Sequence, residues 1–185
     1  MVSAKNFEKF DVISILTERY RIKFLDTYNY LASPLCKLTS TVTLFKYAPT
    51  GAETKAPFPY DWFDCKEKLA ESLPTEDGAW YSKLQGVQQN KNKAFEIWNA
   101  KGFQKFEEYH NYYLKLDVLL LADVFQLFRR NAMQANLVDP CYFQGIPGYT
   151  WYCAIKHNPD KLHIIPQRDI YSLIQQNKRR SSPVH

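Results

Sequence analysis

One segment constrains the fold of this 185-residue chain more than any other: KFEEYHNYYLKLDVLLLADVFQLFRRNAMQA, residues 105–135. At about 100° per residue, Phe106, Tyr109, Tyr113, Leu120, Val124 and Leu127 fall within roughly 60° of one another. That is the apolar stripe of a long amphipathic helix. Asp117 lies one turn after Tyr113, roughly 40° from it on the wheel, which puts it on the apolar face between Tyr113, Val124 and Phe128. A carboxylate buried there without a partner is costly, so it needs a cation, a metal ion or several donors beside it. Two readings follow. Asp117 is either a core residue that caps a neighbouring loop, or a metal ligand at the floor of a site, with Tyr113 orienting a water. Asp123 lies nearer the stripe's edge and is expected to reach solvent.

The remaining elements are read around that helix. VISIL and RYRIKFL flank a polar Thr17-Glu18 pair, and Tyr20, Ile22 and Phe24 alternate with Arg21 and Lys23. A period of two marks half-buried strands, and the two runs suit a hairpin. Ser33-Pro34 reads as an N-cap followed by the first helical residue, with Leu35 and Leu38 turned inward. Residues 46–90 are irregular and hold four of the ten prolines, yet FPYDWF and AWY concentrate aromatics there. Such a segment is expected to pack against the body. KAFEIWNA is a short amphipathic helix stopped by Gly102. Beyond the long helix, Asp139-Pro140 ends it, Gly145, Pro147 and Gly148 make a turn, and a short helix runs around Trp151 to Lys156. LHII suits a strand, and RDIYSLIQQ a last amphipathic turn or two.

Composition removes several classes. An aromatic content of 16% excludes an ordinary disordered polypeptide. No apolar run approaches the ~18 residues of a membrane span, so no membrane association is expected. MVSAKNFEKF lacks the apolar stretch of a signal peptide. Cys36, Cys65, Cys141 and Cys153 are far apart, with no CxxC pair, which speaks against zinc and for an intracellular, reducing compartment. The formal net charge of +5 permits a nucleic-acid partner. Three of those charges, Lys178, Arg179 and Arg180, belong to residues 171–185, which carry no acid, leaving +2 on the other 170 residues. Charge alone is weak evidence for DNA.

Motifs carry more. YLKLDVLLLADVF resembles the third exonuclease motif, Tyr-x3-Asp, of family B DNA polymerases, here Tyr113 and Asp117. It is most similar to the protein-primed branch, especially polymerases of polinton or Maverick transposons and related viruses. FLDTYNYLASPLCKL, FPYDWFDCKEKL with LP and WYSKL, YHNYYLKLDVLLLADVFQLFR and DPCYFQGIPGYTWYCAIK resemble further blocks of that branch in the same order. The resemblance covers roughly residues 5 to 176. It implies an α+β fold: an incomplete ribonuclease-H-like exonuclease domain, mainly helical, with the Asp117 helix packed on a small remnant sheet. Residues 1–45 become a remnant hairpin and short helix, 46–104 an aromatic-rich insert with a short helix, and 105–137 the helix of the third motif. Residues 138–176 lead toward the polymerase domain, and 177–185 form a basic tail that departs from the family.

The resemblance also implies chemistry. The family hydrolyses phosphodiesters with two Mg²⁺ or Mn²⁺ ions, which repel unless several carboxylates surround them. Asp117 becomes a metal ligand and Tyr113 the residue positioning the attacking water. Lys55 and Phe58 of KAPFPY match the family's Lys-x2-hydrophobic motif, where a lysine offsets charge on the phosphate. Lys55 otherwise reads as a solvated loop lysine. Phe58 and Tyr60 either stack on bases of a single-stranded 3′ end or pack as core. DNA is the implied partner, with a terminal protein or a separately encoded polymerase fragment beside it.

The departures are specific. No Asp-x-Glu, the family's first motif, occurs in the chain. Asn6 with Phe10-Asp11 formally matches the second motif, but strand-like VISIL follows where the family has a helix, so Asp11 is a weak substitute. No palm aspartate motif is present either. The expectation is therefore a middle piece of a DNA-directed DNA polymerase, inactive alone, in which the complete enzyme replicates DNA with dNTPs and proofreads. The alternative is a non-catalytic DNA-binding or protein-interaction module derived from such a polymerase.

Overall fold

The computed structural model describes residues 2–6, 9–52, 54–83, 86–160 and 166–177. The chain divides into two compact units, residues 1–149 and 150–185. The first opens with a three-stranded antiparallel sheet of β1 (Val2–Asn6), β2 (Lys9–Leu16) and β3 (Arg21–Leu25), ordered β1-β2-β3. The β2–β3 hairpin is the expected one, in register Ile13↔Phe24 and Ile15↔Ile22. Paired residues share a face, so Ile13, Ile15, Ile22 and Phe24 form one apolar surface. All four are exposed, which corrects the half-buried reading of these strands. Alternation fixed the strands but could not say whether anything covers their apolar side.

Past the sheet, α1 (Leu35–Thr39) starts one residue later than Ser33-Pro34 suggested, with Pro34 at the N-cap. A loop region follows, interrupted by a minimal hairpin of β4 (Tyr81–Ser82) and β5 (Val87–Gln88). Then come α2 (Lys91–Lys101) and the long α3 (Phe106–Asn136). Gly102 ends α2 in the left-handed region at φ 68°, a conformation that glycine adopts without a Cβ penalty. Glu108 starts α3 by accepting from the amides of Gln104 and Lys105 at 2.7 and 3.1 Å, satisfying two backbone donors. At the other end Arg129 pairs with Asp139, whose carboxylate also accepts from the Cys141 amide. Helix α4 (Ile146–His157) runs across the boundary between the units, and α5 (Arg168–Asn177) belongs to the second. LHII and the basic tail lie outside the described residues. Among those described, no helix is long and apolar enough to cross a membrane. The molecule is α+β and mostly helical.

The core corrects a second expectation. The Asp117 helix was expected to pack on the sheet, but among the residues whose burial is described the main buried cluster joins α3 to the 48–80 segment and α2, with no residue from the described part of β2 (13–16) or from β3. Phe106, Tyr109, Tyr113, Leu116 and Leu120 of α3 meet Ala56, Phe58, Leu73 and Trp80. Trp80 is fully buried, and its indole donates to the Pro74 carbonyl at 3.0 Å. The proline-rich segment is therefore core, as its aromatics suggested.

Asp123 attaches this segment to the helix. It is 5% exposed, not at the solvent edge where the sequence pattern placed it. Its carboxylate accepts from three consecutive amides: Lys46 at 2.8 Å, Tyr47 at 3.1 Å and Ala48 at 2.8 Å. The core Asp that caps a neighbouring loop exists, but it is Asp123. The wheel places Asp123 beside the stripe but says nothing of the 46–48 loop that covers it, which explains the misplacement. Bonds to a charged acceptor contribute about 1.5–3 kcal/mol each, and stranding buried donors costs more than the bond is worth. Asp123→Ala is expected to destabilise the fold by about 3 kcal/mol, read as a lower urea midpoint at unchanged slope. A loss below about 1 kcal/mol would contradict the clamp.

Candidate functional site

Downstream of the clamp the chain runs through Lys55-Ala-Pro-Phe-Pro-Tyr60. Each proline fixes its own φ and pushes the preceding residue toward an extended conformation. Ala56, Pro57, Phe58 and Pro59 are all buried, and the Tyr109 hydroxyl donates to the Pro57 carbonyl at 2.6 Å. The strip is thereby held along α3. Lys55 and Tyr60 flank the buried stretch and meet α3 at Tyr113 and Asp117.

All five residues singled out from the sequence come together here. Lys55 Nζ lies 3.3 Å from Asp117 Oδ2. The same ammonium lies 5.3 Å from the Tyr113 ring centre and 5.7 Å from that of Tyr60, within cation–π range. The hydroxyls of Tyr60 and Tyr113 are 2.6 Å apart. Phe58 stacks on Tyr113 with ring centres 4.5 Å apart, and contacts Phe63, Phe106 and His110. At 6% exposure Phe58 is core, so a base could stack on it only if it left the cluster. Lys55 is not a solvated loop lysine: its side chain is 32% exposed and that of Asp117 25%.

The electrostatics follow from this packing. Burial pushes the Lys55 pKa down, but the Tyr60 hydroxyl and the Asp117 carboxylate outweigh it and hold the ammonium above its ordinary 10.5. Burial, the Tyr60 hydroxyl and the Asp117 charge all raise the Tyr113 phenol, which stays protonated. Asp117 Oδ1 is buried and accepts no hydrogen bond from the described residues.

An unsatisfied buried carboxylate oxygen is one mark of a metal ligand, but the rest of the donor set does not fit a pair of divalent ions. Among the described residues no three His, Cys, Asp or Glu side chains gather to hold a metal. Asp117 is the one acid of this cluster, and an ammonium already neutralises it. Asp11 lies in β2, and its side chain lies outside the described residues.

Sequence reasoning missed the pairing of Lys55 with Asp117, because nothing local ties residues so far apart. It also missed the Tyr60–Tyr113 hydroxyl contact. No protein-family model matches the chain, no curated protein matches it, and no solved structure matches it.

A lysine whose pKa is higher folded than unfolded contributes its full stability below the unfolded value and loses it as pH rises through the folded one. The stability gap between wild type and Lys55→Met, measured by urea unfolding, is expected to hold from neutral pH upward and to shrink only above 10.5. A gap already closed at about pH 9 would contradict the pairing.

Proposed function

We propose that this chain is the C-terminal part of the 3′–5′ exonuclease region of a protein-primed family B DNA polymerase, and that alone it neither polymerises nor degrades DNA. Its fold on this reading is an incomplete ribonuclease-H-like domain. One observation carries most weight. The resemblance named Lys55 from one sequence block and Tyr113 and Asp117 from another, and these residues lie in one cluster. A chance match of blocks gives no reason for that convergence.

In the complete enzyme Asp117 would offer one carboxylate to Mg²⁺ or Mn²⁺, and the other ligands would have to come from acids outside this sequence, which has no Asp-x-Glu motif. Tyr113, a buried, protonated phenol bonded to the Tyr60 hydroxyl, lies beside that carboxylate. Lys55 brings the positive charge suited to a phosphate. The partner is a single-stranded 3′ end, and the wider role is DNA replication.

A second reading is favoured by the ion pair itself: Asp117 is already neutralised, as in a structural residue, so the domain could serve only to bind DNA or a partner polymerase segment. Salt dependence separates the two, since phosphate contacts weaken steeply as salt rises.

Incubated with 5′-labelled single-stranded DNA and Mn²⁺, the chain is expected to leave the 3′ end intact. Loss of 3′ nucleotides that needs Mn²⁺ and disappears in Asp117→Ala would contradict inactivity of the isolated chain. Genomic sequence flanking the reading frame is expected to encode the Asp-x-Glu and palm aspartate motifs. A flank without either would count against a polymerase origin.

A further inference from the structure

We infer that helix α5 is a contact for an anionic lipid surface: its apolar face enters the bilayer interface, and the basic residues that follow it pair with the headgroups. The inference is independent of the polymerase reading and of the Lys55 cluster.

The pattern and the exposure of α5 define the face. At about 100° per residue, Ile170, Leu173 and Ile174 fall within about 100° of one another, and Tyr171 borders them. Arg168, Ser172, Gln175 and Gln176 occupy the opposite side. The four apolar residues are each between 45% and 60% exposed. Ser172, on the polar side, is the one residue of α5 that is partly covered, so the helix turns its apolar face outward. Nothing within its own unit hides that face: among the described residues of 150–185 the one buried side chain is Cys153. A ten-residue helix is marginal in water unless a surface covers its apolar side.

Charge selects the surface. Residues 168–185 hold Arg168, Lys178, Arg179 and Arg180 against Asp169 alone, a net +3. The covering partner must therefore be apolar and anionic at once. A bilayer with anionic lipid places acyl chains directly beneath negative headgroups, and an amphipathic helix lying in that plane meets both. DNA supplies the charge, but its phosphates and polar base edges offer no continuous apolar surface to Ile170, Leu173 and Ile174. A second copy supplies an apolar face but brings its own +3 against the first. A helix lying in the surface plane needs one apolar face and not a full span, so the shortness of the chain's apolar runs is no obstacle.

The test is co-flotation of the full chain with vesicles of phosphatidylserine and phosphatidylcholine in equal parts, compared with phosphatidylcholine alone. Wild type is expected to bind the mixed vesicles at least about tenfold more tightly than the neutral ones, and to weaken as salt rises. Leu173→Gln combined with Ile174→Gln is expected to lose at least about tenfold in affinity for the mixed vesicles. Lys178→Gln, Arg179→Gln and Arg180→Gln together are expected to lose as much. Because α5 buries none of its residues, both variants should keep the wild-type urea midpoint. Wild type that fails to float with mixed vesicles, or binds neutral ones equally well, would overturn the inference. So would an apolar variant that floats like wild type, since charge alone would then explain the binding. Self-association of wild type without vesicle binding, abolished in the apolar variant, would also overturn it and assign the face to a second copy. If either variant unfolds, the lipid and salt dependence of wild type still decides the question.

Discussion

The carboxylate of Asp123 holding three successive amides is the interaction on which the rest of this structure depends. Residues 46–80 are poor in regular structure and rich in proline, so their backbone groups find few partners in ladders or helices. A loop of this kind packs on a helix only if its polar backbone is satisfied where it enters. Asp123 does that for Lys46, Tyr47 and Ala48 in one place. From there the aromatic strip can spend its apolar area against α3, with Phe58, Trp62 and Phe63 packing around Phe106 and each favourable ring pair adding about 0.5–1.5 kcal/mol.

The cluster at Lys55 is a consequence of that docking. Two prolines, a buried phenylalanine and the Tyr109 hydroxyl set the line of the strip, and the strip's ends deliver Lys55 and Tyr60 to Tyr113 and Asp117. Two aspartates six residues apart on one helix thus do different work. Asp123 is satisfied entirely by backbone donors and is structural. Asp117 has one oxygen against the Lys55 ammonium and one that is buried and accepts no hydrogen bond from the described residues.

Much of this was legible in the sequence, for reasons particular to each element. The α3 stripe, the stop at Gly102 and the alternation in β2 and β3 are local patterns, and local patterns survive into the structure. The roles of the two aspartates were not legible. A helical wheel reports which face a residue occupies, but not which loop will be waiting there. Nor did alternation reveal that the apolar face of the hairpin, Ile13, Ile15, Ile22 and Phe24, stays exposed while the core forms elsewhere. That outcome depends on which surface the proline-rich segment prefers, a competition between distant parts of the chain. The Lys55–Asp117 pair belongs to the same category.

Native-state hydrogen exchange tests most directly whether loop and helix form one cooperative unit. The amides of Lys46, Tyr47 and Ala48 should open with the same free energy as those of Leu116 and Leu120 in the middle of α3, because releasing the loop exposes the core that both share. Exchange of the three loop amides at the rate of an unprotected chain, while α3 stays protected, would contradict the account.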